Sequence, residues 1–126
     1  MSSGFNMVVK EVADCRRLDL IVSGPMESAR FIDEEIAALE ATGAPWLFDR
    51  LIDLRQCQGH VTYDDINRLA DYWNRVAYQA PRPVKVAVVT HNKLVTARLG
   101  LMDQMFKNHV MVAFDAPEPA LAWIDA

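Results

Sequence analysis

The chain has 126 residues, 52% of them hydrophobic and 24% charged. That is enough for one domain with a real core, and too apolar for a disordered chain. The net charge is −4, from 13 basic and 17 acidic residues, and no run of Lys or Arg occurs, so nucleic acid and anionic membrane surfaces are not expected partners.

No apolar run approaches the roughly 18 residues of a membrane span. The first twelve residues lack the basic-then-apolar order of a signal peptide. A cytoplasmic protein without an integral membrane segment is expected. Cys15 and Cys57 do not form a C-x-x-C pair and read as free thiols of a reducing compartment.

Residues 5–12 alternate Phe5, Met7 and Val9 with other residues, the period of a strand with one better-buried face. Residues 18–23 place Leu18, Leu20 and Val22 on one side. The link between them is short enough for a hairpin, so the first two strands are expected to be antiparallel. Gly24-Pro25 punctuates the chain, with Pro25 expected near the start of a helix. In that helix Ile32, Ile36 and Leu39 make the buried face, Asp33, Glu34, Glu35 and Glu40 lie off it, and Gly43 is the stop.

The stretch that organises the rest is 47–62. It reads as a buried third strand at 47–54, a polar loop and the start of a helix. Asp53 sits near the strand's end, where open α/β sheets tend to place their sites. Thr62 and Asp65 make a T-x-x-D variant of the capping box, and Asp64 adds negative charge at the positive end of the helix dipole. Ile66, Leu69, Ala70, Trp73, Ala77 and Ala80 form that helix's apolar face, and Pro81 and Pro83 end it.

Residues 84–90 are apolar apart from Lys85, as in a parallel strand covered on both faces. Asn92 can cap a third helix at 93–107. A fifth strand follows at 110–114. Asp115 and Glu118, with Pro117 in the first turn, then open a short last helix. The order β-β-α-β-α-β-α-β-α implies an α/β domain with a mostly parallel five-stranded sheet and an antiparallel first strand.

Residues 50–55 (RLIDLR), 86–90 (VAVVT) and 112–124 (VAFDAPEPALAWI) resemble the STAS-like, SpoIIAA-like family, in the fold group that also includes SEC14-type lipid-binding domains. The likeness runs in element order over nearly the whole chain, so 1–126 is expected to be one such domain. It implies a regulatory, protein-binding role. Anti-sigma-factor antagonists of this fold resemble one another in a D-S-S-G stretch after the third strand, whose serine is phosphorylated. Here residues 56–62 read QCQGHVT, with Thr62 as the only hydroxyl at the helix start.

Three groups of residues are candidates for function. The rim of strand ends would gather Asp53, Arg55, Cys57 and His60 near His91 and Lys93, as a regulatory or binding loop or, if Cys57 and His60 met, as an activated nucleophile. The spacing of Cys57, His60 and His91 matches no standard zinc pattern, and no metal or cofactor is expected. Thr62 is an N-cap, at a position where a phosphate would also be electrostatically favoured. On the third helix, Val95, Leu99, Met102 and Phe106 make one apolar row and Leu94, Ala97, Leu101 and Met105 a second. Two rows cover more of the circumference than a surface helix needs. Leu94, Ala97, Leu101, Met102 and Met105 are therefore the candidate interface or apolar ligand site.

The function expected is a non-catalytic regulatory or interaction module, a homodimer through the second row. A carrier of a small apolar or lipid-like ligand comes next, and an enzyme using Cys57, His60 and His91 third. No glycine-rich phosphate loop, G-x-S-x-G or H-E-x-x-H is present.

Overall fold

A computed structural model describes residues 4–126; the start of the stretch weighed for a signal peptide, residues 1–3, lies outside that range. The strands are β1 (Asn6–Val12), β2 (Arg17–Pro25), β3 (Asp49–Gln58), β4 (Val84–Val89) and β5 (His109–Phe114). The helices are α1 (Ser28–Ala41), α2 (Tyr63–Val76), α3 (Lys93–Asp103) and α4 (Pro117–Asp125). The sheet order is β1-β2-β3-β4-β5, with β1 antiparallel to β2 and every later pair parallel. The expected α/β architecture is the one observed.

Alternation along the strands sorts the two faces of the sheet. Leu18, Leu20 and Val22 of β2, Ile52 of β3 and Val84, Val86 and Val88 of β4 are buried in one core with Ile32, Leu39, Ile66, Leu69, Trp73 and Leu99 of α1, α2 and α3. On the other face Leu51, Ala87 and Val89 pack with Ala120 and Ile124 of α4. That second layer is why β4 is apolar throughout. Its one charge, Lys85, donates from Nζ to the carbonyls of Trp123 at 2.9 Å and Ala126 at 2.8 Å. A cation there satisfies acceptors that a helix C-terminus leaves unpaired.

Several boundaries differ from expectation. Pro25 ends β2 rather than opening α1, which begins at Ser28. Gly24 beside it has φ +82°, and a Cβ there would lie 2.0 Å from the Gly4 carbonyl oxygen. Only glycine suits that close approach. Residues 45–47 form a 3₁₀ turn, and β3 runs on to Gln58. It does so because β2, past a bulge, supplies partners: Ser23 pairs with Gln56, Gly24 with Cys57 and Pro25 with Gln58. Asp53 lies in the strand as expected, and Arg55 and Cys57 are strand residues too, not loop residues.

The α3 helix stops at Asp103, four residues before Lys107. The Asp103 carboxylate accepts from His109 Nδ1 at 3.0 Å and from the Met111 amide at 3.1 Å. It is drawn to β5 and turns the chain there. Asp115 does not cap α4; the N-cap is Ala116, without a side-chain bond, and Pro117 opens the helix as expected.

Candidate functional site

The carboxyl ends of β2 and β3, the turn at Gly59–Val61 and the first turns of α2 and α3 surround one corner of the sheet. On β3, Arg55 reaches back two residues and grips Asp53 from both ends of its fork, Nε to Oδ1 at 3.0 Å and Nη2 to Oδ2 at 2.8 Å. The Arg55 hydrogen bonds hold the Asp53 carboxyl below the usual carboxylate range, and the nearby His91 adds to this. His91 itself donates from Nε2 to the Asp115 carbonyl at 2.9 Å.

Cys57 and His60 are not drawn into that cluster. Among the described residues the Cys57 thiol makes one hydrogen bond, from Sγ to the Gln58 carbonyl at 3.7 Å, and burial pushes its pKa up. An activated nucleophile needs the opposite shift and an adjacent base. The residues are therefore not arranged as the catalytic group weighed from the sequence. Among the described residues no group of three or more His, Cys, Asp and Glu is placed to hold a metal ion.

Thr62 is the N-cap of α2, accepting from the Asp65 amide at 3.3 Å. Its hydroxyl donates to Asp65 Oδ2 at 3.0 Å. The sequence reading missed Ser28, at the start of α1, which accepts from the Thr62 amide at 2.8 Å and brings its hydroxyl to 3.4 Å from the Thr62 hydroxyl. The two helix starts are thus tied together, through a pair of residues 34 apart in sequence. An N-cap of this kind is worth about 1 kcal/mol.

The two rows of α3 separate as their spacing requires. Leu99 and Phe106 are buried, and Val95 and Met102 are half-buried against the core. Met102 therefore belongs to the inner row and lines a cleft, not the outer surface. Met105 lies beyond the helix, in the turn, and packs on the core. What remains outside is Leu94, 50% exposed, Ala97, and Leu101, 72% exposed.

Beneath α3 lies a cleft of about 60 Å³, walled by Ile52, Leu54, Val88, Val95, Leu99 and Met102. At its deep end are two charges. Glu35 of α1 and Arg50 of β3, each with a side chain only 1% exposed, form an ion pair at 2.6 Å from Nη1 to Oε2. Glu35 was expected on the solvent side of α1. It sits instead among Phe31, Ile32 and Leu39, buried with them. The Arg50 guanidinium stands over the Trp73 ring at 5.3 Å. Its Nε and Nη2 make no hydrogen bond. His60 and Arg98 line the cleft nearer the surface.

No protein-family model matches the chain, and no curated protein does. Two solved structures share its fold over nearly their whole length. One is an anti-sigma factor antagonist from Mycobacterium paratuberculosis, at 16% identity and a TM-score of 0.62, covering 100% of this chain and 98% of that one. The other is a protein of the DUF3478 family from Shewanella loihica PV-4, described as having a SpoIIAA-like fold, at 17% identity and a TM-score of 0.60, covering 98% of each chain. With the element order, the sheet topology and both of these likenesses in agreement, the chain has a SpoIIAA-like fold.

Proposed function

We propose that the chain is a non-catalytic regulatory module that works in the cytoplasm by binding protein through the outer face of α3, with a second copy of itself as the first partner. The observation that carries this is the apolar stripe Leu94, Ala97 and Leu101. These residues recur at i, i+3 and i+7 on a helix whose other row already faces the core, and among the described residues they are left exposed. Large apolar side chains grouped this way mark interaction surfaces more often than isolated ones do.

Two further points support the reading. A neighbour of the same fold is named an anti-sigma factor antagonist, which supports a regulatory role. The strand-end corner, with its neutral Cys57 thiol and its Asp53 carboxylate tied up by Arg55, offers binding groups rather than a nucleophile and base.

Sedimentation equilibrium at micromolar concentration tests the surface. Wild type is expected as a dimer and Leu101→Glu as a monomer with an unchanged far-UV spectrum, because position 101 faces out and the charge meets nothing in the monomer. A monomeric wild type, or a Leu101→Glu dimer, overturns the assignment.

A further inference from the structure

The cleft under α3 has a charge balance that its own residues leave unfinished. Arg50 and Arg98 both line it, against the single carboxylate of Glu35. Glu35 occupies only Nη1 of Arg50. Among the described residues Arg98 forms no ion pair and no side-chain hydrogen bond, although it is half-buried against an apolar wall. A cation in that setting without a counter-charge is costly.

The free part of Arg50 has a definite shape. Nε and Nη2 present two parallel N–H bonds on one edge of a planar group, and both atoms are closed to bulk water. Among the described residues the same edge is in use elsewhere, by Arg68 with both nitrogens on Asp65 Oδ1 at 3.1 Å and, on both oxygens of a carboxylate, by two more arginines. Arg17 holds Asp19 with Nε at 2.7 Å and Nη2 at 3.2 Å, and Arg55 holds Asp53 in the same way. Each time the occupant is a carboxylate, the planar two-oxygen acceptor that this fork fits. Apart from Glu35, and from His60 and Arg98 nearer the surface, the side chains lining the cleft with Arg50 are hydrocarbon or thioether.

The geometry points to a ligand site for a short-chain monocarboxylate, its head on the free edge of Arg50 and its apolar body along Val88, Leu99 and Met102, with Arg98 balancing the added charge. Arg50, Arg98, Glu35 and the ligand then sum to zero. The volume of about 60 Å³ holds on the order of four to six non-hydrogen atoms, which suits an apolar body of about five carbons with the carboxylate head entering the fork beyond it. Met102 and Met111 both line the cleft, and unbranched thioether chains reposition at little cost to admit a head group to a fork that is closed at rest.

This site is separate from the outer stripe of α3 and does not depend on the dimer. The test is a methyl-detected NMR titration of the full chain at neutral pH with hexanoate, and with hexan-1-ol as the same body without the head. Hexanoate is expected to give saturable shifts confined to the methyls of Ile52, Val88, Leu99 and Met102. Hexan-1-ol should bind roughly tenfold or more weakly, as expected for losing a charge-assisted bidentate pair.

Arg50→Met combined with Glu35→Gln removes both buried charges together and should erase the preference for the acid. Should that pair fold poorly, Arg98→Met, a change nearer the surface, should weaken hexanoate and leave hexan-1-ol unchanged. Equal binding of acid and alcohol, shifts away from the cleft, no saturation, or an affinity that keeps rising through decanoate would each overturn the assignment.

Discussion

Lowering the pH from 7 to 4 should cost this fold a measurable part of its stability through one side chain. His109 of β5 has its ring stacked on Phe106 with centroids 4.6 Å apart and edge-on to Trp73 at 5.8 Å. Its Nδ1 lies 3.0 Å from Asp103 Oδ1. An ionised carboxylate can only accept, so Nδ1 carries the proton and the neutral ring leaves Nε2 bare. That nitrogen is buried without a partner. Protonating it would bury a cation near Arg50 with one N–H left without an acceptor. Burial therefore outweighs the help of Asp103, and the imidazole pKa falls from 6.5 to about 4. Between those values the unfolded chain binds a proton that the folded one refuses, so stability rises with pH across that window. The stabilisation is fully present above pH 6.5 and is lost as pH falls toward 4, by about 3 kcal/mol at 1.36 kcal/mol per pKa unit. Urea midpoints measured at intervals across the window give the limb directly. His109→Phe keeps the ring and removes the titration, and Asp103 still accepts from the Met111 amide. Its limb should be flatter by that amount. Equal slopes for wild type and variant, or a His109 C2–H titration near pH 6.5, would refute the reasoning.

Arg50→Met alone should destabilise by about 3 to 5 kcal/mol, because it strands Glu35 as a buried charge; adding Glu35→Gln should restore most of that in urea melts, and a mild single variant would mean the pair is wet. Cys57 should be alkylated by iodoacetamide at neutral pH more slowly than the exposed Cys15, since burial holds its thiol protonated; peptide mapping after a short pulse decides, and faster labelling at Cys57 would revive a reactive role.

Element order, strand pairing and most of the core were legible in the sequence because they follow from periodicity. Leu18, Leu20 and Val22 alternate and are buried, and Ile66, Leu69, Ala70 and Trp73 recur at helical spacing and are buried. What failed to show involves a partner distant along the chain. Glu35 stands three residues after Ile32 and four before Leu39, which is a core position by geometry, but its residue type argued for solvent. Only Arg50, fifteen residues on and in another element, makes its burial sensible. The same holds for Asp103, whose pull toward β5 shortens α3, and for Ser28, which meets Thr62 across two helix starts. The strand pairing that carries β3 past Asp53 was hidden too, because the matching residues Ser23, Gly24 and Pro25 read as a turn. The rim and α3 residues could be named from the sequence, but Glu35, Arg50 and Arg98, the charges of the cleft, were not among them, because their grouping depends on contacts between distant elements.

The sheet keeps its strands in the order in which they occur along the chain, β1 through β5. A growing polypeptide would never have to wait for a late strand to slot between two early ones. The hairpin of β1 and β2 can close first, and each crossover then adds one strand to a free edge, so the loops to be closed stay short. Such a topology suits quick assembly and limits the time for which strand edges stand open to the wrong neighbour. The exception is the lining of the α3 cleft, whose walls come from α1, β3, α2, β4, α3 and β5 together. It is completed only when Met111 arrives, so it should be among the last features of the molecule to form and, on unfolding, among the first to go.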